Sequence, residues 1–190
     1  MLPNLITACR LGMLVPIVLL LQFGESATAR RVVFALFAVA GASDWVDGWI
    51  ARRFNQVSAI GTFFDPLVDK IMANVLLVFL AFHSPGWVNL WLVLLILARE
   101  FAVQGFRSMA PCKGVLIRTR MLNKWKFALQ VACIAFTLAG LAWEAAAGPL
   151  RLFARTGLWL AFLTAYLSLS ALLWQNRDLW TREAVRLEER

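Results

Sequence analysis

Charge is scarce in this chain. Asp, Glu, Lys and Arg together make up 16% of its 190 residues, and Asp and Glu account for only 11. There is one histidine and there are three cysteines. The lone His83 stands beside Ser84-Pro85-Gly86, near a span end. A zinc site would need more nitrogen and sulfur ligands than the chain offers. Cys9, Cys112 and Cys133 are scattered and odd in number, which gives neither a metal spacing nor a disulfide framework. They read as small apolar residues. Internal repeats, low-complexity stretches and a second domain are also absent, so residues 1–190 read as a single domain.

What is present in excess is apolar. Hydrophobic residues make up 61% of the chain, and the mean hydropathy is +0.71. This composition belongs to a membrane protein. Six apolar runs are long enough to span, over Leu5–Phe23, Val32–Arg53, Ala59–Phe82, Trp87–Arg107, Lys124–Trp143 and Thr156–Trp174. The predicted fold is therefore all-α, a polytopic membrane protein with six transmembrane helices. Gly24–Arg31, Phe54–Ser58, His83–Gly86, Ser108–Asn123 and Glu144–Arg155 read as links, and Gln175–Arg190 as a polar tail. A cleavable signal peptide is the rival reading of the first run, but it lacks a basic leader and would place Arg10 in its apolar core.

The net charge of +8 implies anionic partners, here a membrane surface and phosphate groups rather than nucleic acid. Its distribution sets the orientation. With the N-terminus in the cytoplasm, the cytoplasmic links and span ends hold most of the Lys and Arg, including Arg52, Arg53, Arg107, Lys113, Arg118, Arg120, Lys124 and Lys126. The opposite side holds Arg30, Arg31, Arg151 and Arg155. This bias puts both termini in the cytoplasm. Trp87, Trp91, Trp143, Trp174 and Trp180 fall near span ends, as an interfacial aromatic belt would.

Against this apolar background, four aspartates gather between positions 44 and 69, in DWVDGWIARRFNQVSAIGTFFDPLVD. Asp44 and Asp47 are spaced i, i+3, and Asp65 and Asp69 i, i+4. On helices, each pair shares one face. Carboxylates in apolar helices are costly and usually face a partner or a cavity. Two such faces turned together would offer oxygen ligands for a hard divalent cation such as Mg²⁺ or Mn²⁺. The plainer reading is a set of solvated helix ends, or pairs with Arg52, Arg53 and Lys70. The small residues Gly48, Ala51 and Gly61 speak against it, because they leave room for a ligand or a close helix. Arg52 can meet a phosphate with a fork of donors.

The pattern Asp44-x-x-Asp47-Gly48-x-x-Ala51-Arg52, eight residues, Gly61-x-x-x-Asp65-x-x-x-Asp69 resembles the signature of the CDP-alcohol phosphatidyltransferases at all eight positions. That family is membrane-embedded, with six transmembrane helices. It moves a phosphatidyl or similar group from a CDP-linked donor to an alcohol and releases CMP. The opening Asn4-x-x-Thr7-x-x-Arg10 resembles the bacterial phosphatidylglycerophosphate synthase branch, as does Ala98-Arg99-Glu100 followed by Arg107. Lys124-x-Lys126 resembles that branch's Gly-Lys-x-Lys-Thr string, with Asn123 and Phe127 as departures.

The resemblance implies CDP-diacylglycerol as donor, glycerol 3-phosphate as acceptor and a two-metal site of Mg²⁺ or Mn²⁺ on Asp44, Asp47, Asp65 and Asp69. Asp69 would also be the general base on the acceptor hydroxyl. Asp44, Gly48, Ala51, Arg52 and Gly61 would bind CDP. Arg10, Arg107, Arg118, Lys124 and Lys126 are candidates for the acceptor phosphate, with snorkelling or the positive-inside loop as their alternative roles. Arg99 and Glu100 would support the site or neutralise each other. The implied assembly is a homodimer in the lipid bilayer of the inner membrane, with its site toward the cytoplasm. Other acceptors (phosphatidylglycerol, serine or an inositol phosphate) stay open. A transporter is the rival from another class, but it should often show inverted repeats or broken helices, and the sequence has neither signal.

Overall fold

The computed structural model describes the backbone of residues 2–24, 26–53, 59–109 and 121–175, and the side chains of residues 11–24, 26–43, 67–109 and 123–175. Among the described residues the structure is all-helical, without a strand. The helices are α1 (Leu2–Phe23), α2 (Ala27–Arg53), α3 (Ala59–His83), α4 (Leu90–Met109), α5 (Met121–Ala142) and α6 (Ala147–Gln175), with a 3-10 turn at Glu144–Ala146.

Local chemistry sets where the helices begin. α2 starts ahead of its apolar run because Ser26 Oγ accepts the N–H of Ala29 at 3.1 Å, an N-terminal cap. Most of the expected link at Gly24–Arg31 is thereby helical. α4 starts later than the apolar run suggests. Asn89 Oδ1 accepts the N–H groups of Trp91 and Leu92 at 2.9 and 3.3 Å, which leaves Trp87 in the preceding turn. The largest difference is at α6, where the expected link over Glu144–Arg155 is mostly helix. Its alanines favour helix, and Pro149 stands in the first turn, where a backbone N–H has no helical partner to lose. Pro66 lies inside α3, past its first turn.

α1 and α5 each pack against both α2 and α3, while α4 packs against α3 and α6, and α5 pairs extensively with α6. The core draws on every helix, with Ile17, Val33, Leu76, Ile96, Ile134 and Leu158 all buried. Between apolar helices with a lipid-suited outer surface, such contacts hold chiefly by close van der Waals packing.

The two ends of the bundle differ. At one end, Arg30 lies 3.7 Å from Glu144. Trp87 there is buried rather than part of an interfacial belt, at 6% exposure. Its indole lies under the Arg151 guanidinium, 4.9 Å from the ring centroid, and against Gly140. A side chain on Gly140 would collide with that ring. Trp91, Trp143 and Trp174 are exposed at helix ends, as a belt requires.

Asn123–Ala142 and Glu144–Gln175 are long and apolar enough to cross a membrane, and Leu11–Phe23 is a shorter apolar segment. Large apolar side chains such as Phe23, Phe101, Leu163 and Leu167 face outward, an arrangement suited to a lipid surface.

Candidate active site

Opposite the Trp87 end, α3, α4 and α5 enclose a cavity of about 300 Å³. Asp69 and Lys70 reach it from α3, Arg99, Glu100 and Arg107 from α4, and Lys124 and Lys126 from α5, with Gln104 and Asn123 beside them. In a sequence with so little charge, this is a concentration of ionic groups.

Periodicity places the groups. Positions 99, 100, 103, 104 and 107 lie on successive turns of α4, and 123, 124, 126 and 127 on the first turns of α5. Lys126 and Gln130, one turn apart, are both buried. Folding thus carries polar residues on an otherwise apolar surface into one recess, where charges need partners.

Glu100 is the hub. Its Oε1 pairs with the Lys126 ammonium and lies 3.7 Å from Arg99 Nη1, while its Oε2 lies 3.9 Å from Lys70 Nζ. Arg99 is held further. Its Nε donates to the Ala165 carbonyl at 2.9 Å, and its Nη2 donates to Asn123 Oδ1, also at 2.9 Å. Arg107 contrasts with it. Its Nε is buried and has no hydrogen-bond partner among the described residues. Of the two arginines, Arg99 is committed to the protein and Arg107 keeps a donor for a ligand. An anion with several oxygens, such as a phosphate, suits the latter.

The expected acceptor-phosphate residues Arg107, Lys124 and Lys126 therefore share a cavity with Asp69, and the expected support pair Arg99 and Glu100 forms its wall. Lys70, Gln104 and Asn123 join them. The sequence offered only faint signals for these three: Lys70 follows Asp69, Gln104 is one turn from Glu100, and Asn123 precedes Lys124.

The remaining expected residues are described only in part. Asp44, Asp47, Gly48, Ala51 and Arg52 lie on the continuous backbone of α2, and Gly61 and Asp65 on that of α3, but their side chains fall outside the described residues. The same holds for Arg10 on α1, and Arg118 lies outside them altogether. Among the described residues no group of three His, Cys, Asp or Glu side chains gathers as a metal site. What the backbone does provide is unbroken helix through both aspartate pairs, so that each pair occupies one helical face. With Asp69 at the cavity, this donor set is all oxygen and anionic, which fits a hard divalent cation.

Residues 1–171 match the family model described as CDP-alcohol phosphatidyltransferase. A Bacillus subtilis CDP-diacylglycerol–glycerol-3-phosphate 3-phosphatidyltransferase is 34% identical over 173 residues, covering 84% of this chain and 86% of the relative. A Rickettsia typhi protein of the same name is 34% identical over 139 residues, covering 73% and 76%. One from Pseudomonas fluorescens reaches 41% over 109 residues, covering 56% and 54%.

Proposed function

The chain belongs to the CDP-alcohol phosphatidyltransferase family, and from that premise we propose that it transfers the phosphatidyl group of CDP-diacylglycerol to glycerol 3-phosphate. The products are phosphatidylglycerophosphate and CMP. The relatives' names support this acceptor. The observation that carries it to this chain is the cavity itself. The Asp69 carboxylate shares it with Arg107, Lys124 and Lys126, which suits an acceptor bearing both a hydroxyl and a phosphate.

In this reading Arg107, Lys124 and Lys126 bind the acceptor phosphate, joined by Arg10 and Arg118 on the cytoplasmic side. The bound phosphate orients the acceptor hydroxyl toward Asp69. The carboxylate takes the hydroxyl proton as the oxygen forms its bond to the phosphatidyl phosphorus, and the bond from that phosphorus to CMP breaks. Asp44, Gly48, Ala51, Arg52 and Gly61 form the CDP site, where small residues allow close approach and the arginine meets phosphate. Asp44, Asp47, Asp65 and Asp69 would hold two divalent ions. Bound there, Mg²⁺ or Mn²⁺ would neutralise charge on the pyrophosphate and on the departing CMP. Arg99 and Glu100 keep the wall of the cavity in place.

The six helices are six spans of one domain, residues 1–190, with both termini and the site at the cytoplasmic face of the inner membrane. Placing the cavity there agrees with the distribution of Lys and Arg, since Arg107 and Lys124 line it while Arg30 and Arg151 lie at the opposite end. The working unit is a homodimer.

An acceptor panel tests the reaction. Purified protein in detergent receives CDP-diacylglycerol, Mg²⁺ or Mn²⁺, and glycerol 3-phosphate, phosphatidylglycerol, serine or inositol phosphate, and CMP release is followed. Release that requires glycerol 3-phosphate and metal supports the reading. Release with another alcohol reassigns the acceptor, and no release from folded protein rejects the enzyme.

A further inference from the structure

The first turn of α5 carries a residue that neither the acid signature nor the basic candidates account for. Asn123 occupies the place where the similar Gly-Lys-x-Lys-Thr string has glycine.

Its single carbonyl oxygen receives two donors from two other helices. Arg99 Nη2 on α4 donates at 2.9 Å, and Ser168 Oγ on α6 donates at 3.2 Å. Arg99 is 3% exposed and Ser168 equally so. Arg99 Nε is fixed in turn on the Ala165 carbonyl. The guanidinium is thus held on two of its sides by neutral oxygens, one from α5 and one from α6. Its third nitrogen, Nη1, is directed at Glu100 Oε1, 3.7 Å away, the same oxygen that Lys126 occupies. Arg99 and Lys126 therefore share one carboxylate oxygen, and the amide of Asn123 restrains the arginine from taking it. A buried cation deprived of one acceptor seeks another, and for Arg99 the adjacent acceptor is Glu100.

We propose that Asn123 is a positioning residue for the acceptor phosphate. By holding Arg99 it leaves Glu100 Oε1 to Lys126, and so sets where the Lys126 ammonium stands in the cavity. The inference rests on the acceptor site proposed for Arg107, Lys124 and Lys126. It adds that the geometry of that site depends on a neutral amide, acting through Arg99 and not by touching the metals or the donor.

The test is a double-mutant cycle with two readouts. In Asn123→Ala the KM for glycerol 3-phosphate rises about tenfold, the scale of a lost buried hydrogen bond to a charged group, while kcat and the KM for CDP-diacylglycerol stay within about twofold. On an Arg99→Lys background, Asn123→Ala adds nothing further, because its effect passes through the arginine. The second readout needs no turnover. The concentration of glycerol 3-phosphate, or of inorganic phosphate, that half-maximally raises the melting temperature in detergent shifts by the same factor. If wild type releases no CMP with glycerol 3-phosphate, the reaction reading fails, and the melting shifts still judge the proposal. Should Asn123→Ala not fold, Asn123→Ser, whose shorter side chain draws its oxygen back from Arg99, raises the acceptor KM about threefold. An unchanged acceptor KM and half-maximal concentration in the folded variant overturns the proposal. So do equal losses for both substrates, or additive effects in the cycle.

Discussion

Lys126 on α5 is paired with Glu100 on α4, and neither side chain reaches solvent freely, at 4% and 14% exposure. The two are not equivalent. Glu100 also faces Arg99 and Lys70, whereas Lys126 has Glu100 as its ionic partner among the described residues. Glu100→Gln leaves three cations facing one another, and thermal unfolding in detergent should show a loss of about 3–5 kcal/mol, the cost of stranding buried charge. Lys126→Met removes a cation from a carboxylate that keeps two more. Its loss should be the smaller of the pair, and an equal or larger loss would contradict the hub role of Glu100.

Asp69 stands at the same cavity and is assigned the acceptor proton. Asp69→Asn keeps the shape of the side chain and removes the base. CMP release should fall by about 10²-fold or more, the usual scale for general-base catalysis, with the melting temperature within a few degrees of wild type. Residual release above a tenth of the wild-type rate would move the base elsewhere.

Arg107 carries a buried Nε without a partner among the described residues. If that donor meets the acceptor phosphate, Arg107→Ala should raise the KM for glycerol 3-phosphate by about 1.5–3 kcal/mol, or roughly 10–100-fold. Arg107→Lys should recover little, since an ammonium lacks the forked geometry of the guanidinium. Full recovery by lysine would make the residue a simple source of positive charge.

Gly140 lies against the buried indole of Trp87, at the end of the bundle away from the cavity. There is no room for a methyl group, and the ring is itself held by Arg151. Gly140→Ala should lower stability by about 1–3 kcal/mol through overpacking. Turnover per folded molecule should not change, which separates packing at this end from chemistry at the other. Loss of turnover without loss of stability would contradict that separation.

Much of the candidate site is legible in the chain's own periodicity. The aspartate spacings need only the helical period to place each pair on one face, and the helices through 44–47 and 65–69 are continuous. Arg99, Glu100, Arg107, Lys124 and Lys126 are legible through the resemblance to the glycerophosphate branch, and they fall on α4 and α5. Lys70 and Asn123 are only faintly legible, as a neighbour of Asp69 and a departure before Lys124, because their partners on other helices give no local signal. Trp87 is misplaced by the sequence for a similar reason. A tryptophan near a span end suits an interface, but Gly140 and Arg151, far along the chain, make room for it inside.

By itself the sequence determined that this is an all-helical, apolar chain with an acid-rich pair of helices. Helix formation, capping and hydropathy are set by residues within a few positions of one another. Only the tertiary structure decided which polar faces meet. Arg99 finds its acceptors on Ala165, 66 residues away, and on Asn123, 24 residues away. Contacts at such separations carry no local periodic signal. They exist because α4 and α5 both pack against α6, and a buried charge takes the acceptor that packing brings within reach.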